Sequence, residues 1–150
     1  MVEESVYITD GEVQTEATAY SLAEGNFIRA GDIVALRGEM GAGKTAFTRG
    51  LAKYFAPDVD VTSPTYTLVN EYKAARSFSL LHFDMYRISN EDDLLGLGFF
   101  DIIGDMRNRV AVIEWYENIA EFYREATVTV DIKKDDSKPE RRTILITREI

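Results

Sequence analysis

Residues 38–45 read GEMGAGKT, and this octapeptide decides the fold. It satisfies G-x-x-x-x-G-K-[ST], a pattern in which each fixed position has a physical task. Glycines let the backbone curl so that successive N–H groups face inward, forming an anion nest at a helix N-terminus. In such a loop Lys44 reaches the β- and γ-phosphates of a nucleotide and the Thr45 hydroxyl meets Mg²⁺. The predicted nucleotide-binding stretch is Glu39, Met40, Gly41, Ala42, Gly43, Lys44, Thr45 and Ala46. From average glycine usage, a chance match in a chain of this size is roughly a one-in-a-few-hundred event. The flanks supply the context the motif requires. DIVALRG (32–38) is a short apolar run of the kind found in buried parallel strands. KTAFTRGLAKYF (44–55) places Phe47, Leu51, Tyr54 and Phe55 on one helical face.

Working outward, SVYIT (5–9) reads as a strand. From Glu12 to Glu24 the apolar Val13, Ala17 and Tyr20 recur at helical spacing, with Gly25 as terminator. YTLVNEY and SFSLLHFD read as strands around KAAR. Residues 89–105 carry five acids and no base; they predict a short helix capped by Ser89 or Asn90, followed by a glycine-bearing loop. VAVIEW (110–115) is another buried strand, and TVTVDIKK with RRTILIT form a closing hairpin. Strands alternating with helices predict an α/β fold of the P-loop NTPase type. Its central sheet is mostly parallel, flanked by helices and completed by a C-terminal β-hairpin. At 150 residues the expectation is one domain, 1–150.

Hydrophobic content of 45% and charged content of 29% sit near the globular average. There is no cysteine, which fits a reducing compartment. The acidic start MVEESVYITDG has no signal-peptide pattern, and no apolar run approaches the roughly 20 residues of a membrane span. The expectation is a cytoplasmic protein without a membrane partner. With 26 acids against 17 bases the formal charge is −9, which disfavours gripping nucleic acid unaided.

A phosphate loop needs a second acid near the metal, at the C-terminal end of a neighbouring strand. Asp84, ending LLHFD, and Glu114, ending VAVIE, both qualify. TSPTYTLVNEY (62–72) carries Ser63, Pro64 and Thr65 where NTPases place a segment that senses the γ-phosphate, although Ser-Pro-Thr is also ordinary turn chemistry. No N-K-x-D or T-K-x-D element reads guanine, so ATP is favoured over GTP. His82, the sole histidine, fits a packed, hydrogen-bonded role better than a catalytic one.

GEMGAGKTAFTRG, VTSPTYTLVNEY, LLHFDMYRI, the acidic stretch with LLGLGF, and VAVIEW occur together in the order and spacing of the TsaE (YjeE) family. The resemblance runs from about residue 31 to 117. It implies a small ATPase needed for making threonylcarbamoyladenosine beside the anticodon of bacterial tRNAs that read codons starting with A. It implies work with the transferase subunit TsaD and its partner TsaB, with tRNA met only indirectly. By matching position, Lys44 and Thr45 keep the phosphate and Mg²⁺ duties. Glu114 resembles the metal-associated glutamate and Asp84 the required aspartate of H-x-D-x-Y-R. Ser63, Pro64, Thr65 and Tyr66 resemble the first switch, and Trp115 the tryptophan of the second. Where the family commonly has proline after that tryptophan, this chain has Tyr116. TEAT (15–18) loosely resembles a polar family segment near the nucleotide and is not among the predicted site residues.

The implied chemistry is attack of water on the γ-phosphate, slow in the isolated chain because no cationic finger is evident and accelerated when a partner orders the two switches. Three alternatives stay open on sequence alone: a small-molecule kinase, a GTPase-like switch, and a binding module that never hydrolyses its nucleotide.

Overall fold

The computed structural model describes residues 2–62, 69–74 and 77–149. Strand β1 (Val2–Asp10) leads into helix α1 (Glu12–Glu24), and β2 (Ile33–Arg37) into α2 (Lys44–Phe55). There follow β3 (Val69–Lys73), β4 (Ser79–Asp84), α3 (Glu91–Gly96), α4 (Phe99–Ile103) and β5 (Arg109–Glu114). A 3₁₀ turn (Tyr116–Asn118) precedes β6 (Val128–Lys134) and β7 (Arg141–Glu149).

Seven strands form one sheet in the order β1-β7-β6-β2-β5-β4-β3. The central run β6-β2-β5-β4 is parallel throughout. The β6–β7 hairpin, β1 against β7, and β3 against β4 add antiparallel edges. The expected α/β architecture and closing hairpin are both present.

Alternation along the central strands sends side chains to two separate cores. Val34 and Leu36 of β2 and Val110 and Val112 of β5 face α1 and α2, joining Phe47, Leu51 and Ala19. Ile33, Ala35, Ala111 and Ile113 face the other way, onto Leu94, Phe99, Ile103 and Ile119. A strand buried on both faces has no polar side to show, which is why β2 and β5 read as continuous apolar runs.

Three expectations are corrected. In α1 the buried face is Thr15, Ala19, Leu22 and Ala23, whereas Val13 is 81% exposed and Ala17 also faces solvent. The cause is close helix packing: a Cβ on Gly50 of α2 would stand 2.2 Å from the Glu16 carbonyl oxygen and 2.7 Å from Ala19 Cβ. Small residues set that crossing, so apolar periodicity is a poor guide to its register. In α2, Phe47 and Leu51 are fully buried but Tyr54 is exposed, lying edge-on to Tyr20 and Phe55. The glycine-bearing stretch after α3 is not a loop but α4, entered through Gly98 in a left-handed conformation (φ 71°). Its Phe99 and Ile103 close the second core.

Asn90 caps α3 as expected, accepting the Asp93 N–H at 3.0 Å while Asp93 accepts the Ser89 N–H at 3.0 Å. At the opposite end of the sheet from the glycine loop, Asp32 accepts three hydrogen bonds from the Arg148 guanidinium at 2.6–2.9 Å. Thr127 and the Arg29 N–H complete the carboxylate's shell.

Candidate nucleotide site

The site is built where β2 stops and α2 begins. Gly41 (φ 78°) and Gly43 (φ 111°) take backbone conformations that side-chain-bearing residues rarely adopt, and between them the chain reverses into the first turn of α2. Lys44 and Thr45 are the first two residues of that helix. They face a cavity of about 300 Å³ whose other walls come from the loop, Glu12, Asp84, Glu114 and Trp115.

The two acids arrive by strand register. β4 and β5 are parallel with Asp84 opposite Glu114, so both carboxylates emerge together at the C-terminal edge of the sheet, beside the glycine loop. His82 lies two residues earlier on the same face of β4 and is fully buried; its Nε2 meets Glu114 Oε2. The histidine is packed and hydrogen-bonded, as its setting in the sequence suggested. Asp84 accepts the Tyr86 N–H at 2.9 Å.

Lys44 is almost wholly enclosed. Its Nζ donates to the Gly38 carbonyl oxygen at 2.7 Å and lies 3.8 Å from the centroid of the Trp115 ring. Burial pushes the ammonium below the ordinary lysine value, while the carboxylates of Glu114, Glu117 and Asp84 draw it back up. Burial pushes the Asp84 carboxyl above the usual aspartate range; the Tyr86 N–H opposes that shift and the neighbouring Glu114 charge adds to it. Trp115 sits in a left-handed conformation (φ 57°, ψ 38°) immediately after β5. The next residue, Tyr116, starts the 3₁₀ turn, and its hydroxyl donates to the Tyr123 carbonyl at 2.6 Å. Tyr116 is thus a core-packed tyrosine that anchors the segment after Trp115.

Other residues singled out in the sequence fall around the same point. Met40, Gly41, Gly43 and Ala46 line the cavity with Lys44 and Thr45. Glu39 faces a neighbouring cavity of about 550 Å³ with Arg37, Trp115 and Lys134. Ala42 and Thr15, from TEAT, line a third, of about 520 Å³, between the loop, the start of α1 and Arg142. Ser63, Pro64, Thr65 and Tyr66 lie outside the described residues.

Sequence reasoning missed Arg142. From β7 its Nε donates to the Ala42 carbonyl at 2.8 Å and its Nη2 to the Gly41 carbonyl at 3.2 Å. Those partners lie a hundred residues apart, and the strand pattern of RRTILIT carries no sign of the contact.

Among the described residues no group of three His, Cys, Asp or Glu side chains forms a metal cage. Mg²⁺ does not require one, since it commonly uses one or two carboxylates, waters and the phosphates of its nucleotide. The Thr45 hydroxyl with Asp84 and Glu114 fits that donor set.

A strand, a glycine loop, a helix opening on Lys-Thr and two strand-end carboxylates define a P-loop nucleotide-binding protein. Residues 9–144 match the sequence profile of the family described as threonylcarbamoyl adenosine biosynthesis protein TsaE. A tRNA threonylcarbamoyladenosine biosynthesis protein TsaE of Rickettsia conorii is 32% identical over 133 residues, covering 88% of this chain and 73% of that one. The protein of the same name from Bacillus subtilis is 34% identical over 126 residues, covering 82% and 76%. The crystal structure of Bacillus subtilis YdiB superposes with a TM-score of 0.74 at 28% identity, covering 99% of this chain and 87% of that one. The chain belongs to the TsaE family.

Proposed function

We propose that this chain is an ATP-binding, ATP-hydrolysing subunit in the formation of threonylcarbamoyladenosine next to the anticodon of tRNAs reading codons that start with A. It acts in a protein complex with a TsaD-like transferase and a TsaB-like subunit, touching tRNA only indirectly, in the cytoplasm. Residues 1–150 act as one domain, a reading supported by a single sheet whose strands run from Val2 to Glu149.

One observation carries the proposal. Lys44 and Thr45, at the N-terminus of α2, share a cavity with Asp84 and Glu114, brought side by side on adjacent parallel strands. A cation and amide donors on one wall suit a polyphosphate, and carboxylates on the other suit its divalent counter-ion. Mg²⁺, when bound with the nucleotide, neutralises phosphate charge and would be held by Thr45 and Glu114. Lys44 leaves the Gly38 carbonyl and the Trp115 ring to pair with the phosphates. In this reading Asp84, beside Glu114 in the same cavity, orients or deprotonates the attacking water. Ser63–Tyr66 and Trp115 form the two segments that report nucleotide state to the partners.

The described residues place no arginine within the cavity that holds Lys44, Asp84 and Glu114. In this reading hydrolysis by the isolated chain is slow. Sites of this kind turn over at roughly 10⁻⁴ s⁻¹ alone and gain up to about 10⁵-fold from an activating partner. Phosphate release is to be measured for the chain alone, then with TsaB- and TsaD-like proteins. The reading requires weak release alone and a large rise in the complex; fast release alone that partners leave unchanged contradicts it.

A further inference from the structure

We infer that Arg142 is a positioning residue for the phosphate loop: by tethering the Gly41 and Ala42 carbonyls it holds the Glu39–Ala42 turn closed and directs the Gly43 amide hydrogen toward a polyphosphate. The inference rests on the nucleotide reading above and adds a residue to it.

The loop needs such a brace. With glycines at 38, 41 and 43, the stretch pays a large conformational entropy to become ordered. Arg142 lies on the face of β7 that looks toward α2, two residues before the buried Ile144. Its guanidinium makes four hydrogen bonds to carbonyl oxygens. Besides Ala42 and Gly41, Nη1 donates to Pro139 at 2.7 Å and to Arg141 at 2.9 Å. The bonds to Pro139 and Arg141 fix the guanidinium plane, and the fixed plane then fixes the loop.

Planarity of the peptide carries the effect across the backbone. In a trans peptide the C=O and the following N–H point to opposite sides, and the chain has no cis bond among the described residues. Tethering the Ala42 carbonyl toward β7 therefore turns the Gly43 N–H away from β7. Tethering the Gly41 carbonyl orients the Ala42 N–H, which closes a turn onto the Glu39 carbonyl oxygen at 3.0 Å. The guanidinium also sets a permanent positive charge behind the Ala42–Gly43 peptide, reinforcing the N–H end of its dipole. Lysine cannot substitute fully, because a point charge does not span two successive carbonyls.

The test compares wild type, Arg142→Ala, Arg142→Lys and Arg141→Ala by calorimetric titration with Mg-ATP and with inorganic tripolyphosphate, alongside thermal melting. Arg141 is the control: it is the adjacent residue and its guanidinium pairs with exposed Asp10 instead. Loss of charge-assisted hydrogen bonds predicts that Arg142→Ala weakens both ligands by about tenfold or more. Arg142→Lys falls between, and Arg141→Ala binds as wild type. Weakening of tripolyphosphate in parallel with ATP marks an effect on the phosphate nest rather than on the base. Arg142 variants that bind like wild type overturn the inference, as does an Arg141→Ala loss equal to that of Arg142→Ala. Should Arg142→Ala not fold, Arg142→Lys decides by the same criterion. A wild type that binds neither ligand removes the nucleotide reading itself and this inference with it, a result distinct from equal binding by all four proteins.

Discussion

Lys44 Nζ lies 3.8 Å from the centre of the Trp115 indole, so the residue proposed to meet phosphate rests on the face of the chain's only tryptophan. The contact is a cation–π pair, worth about 2 kcal/mol or more where water is excluded. Phosphates that draw Lys44 away must change the indole's surroundings. Titration with Mg-ATP is expected to shift or quench the tryptophan emission in wild type and to leave it unchanged in Lys44→Ala. Emission indifferent to saturating ATP in wild type contradicts the arrangement.

Asp84 sits where its ionised form is penalised. Its folded-state pKa is raised above the unfolded value, mainly by burial, so the native state holds the proton more tightly. Stability therefore falls as pH climbs from the unfolded value through the raised one, and above that window the ionised Asp84 is a standing cost. Asp84→Asn retains an oxygen for the Tyr86 N–H and carries no charge. It is expected to melt above wild type at pH 7, to match it near pH 3, and to lose ATP hydrolysis. A lower melting temperature at pH 7 contradicts the sign.

Gly50 is where α1 and α2 touch. Any Cβ there overlaps the Glu16 carbonyl and Ala19, so the helices must separate. Gly50→Ala is expected to cost about 1–3 kcal/mol as an overpacking change. In a domain of this size that lowers the melting temperature by roughly 2–4 °C per kcal/mol. An unchanged melting curve means that the helices do not cross at this residue.

Arg148 and Asp32 form an ion pair that is nearly fully buried. Removing either partner leaves a buried charge unmatched, at about 3–5 kcal/mol. Arg148→Met should be destabilised by that order, and adding Asp32→Asn should restore much of the loss. Additive losses in chemical denaturation would show that the two residues are not coupled.

What could be read beforehand follows from where the physics is local. The glycine loop, the doubly buried strands β2 and β5, the Asn90 cap and the β6–β7 hairpin are each specified within a few residues, and each lies where expected. Val13 misled because α1 docks through small residues, and burial there follows backbone approach rather than apolar spacing. Phe99–Ile103 reads as loop in the sequence because glycines bracket it; its five residues fold as a helix by inserting Phe99 and Ile103 into a core built by distant strands. Asp84 and Glu114 were visible as strand ends, but their pairing is a matter of register between strands 30 residues apart. Arg142 was invisible for the same reason at greater distance.

In the proposed site the loop from Gly38 to Thr45 receives the phosphates of ATP with Mg²⁺ held opposite. Calorimetric titration of the folded chain with ATP, with and without Mg²⁺, measures it most directly. Saturable one-to-one binding is expected in wild type and is abolished in Lys44→Ala, with affinity reduced when Mg²⁺ is withheld or Thr45 is replaced by alanine. Folded wild type that binds no ATP in the presence of Mg²⁺, or Lys44→Ala that binds it equally well, contradicts the account.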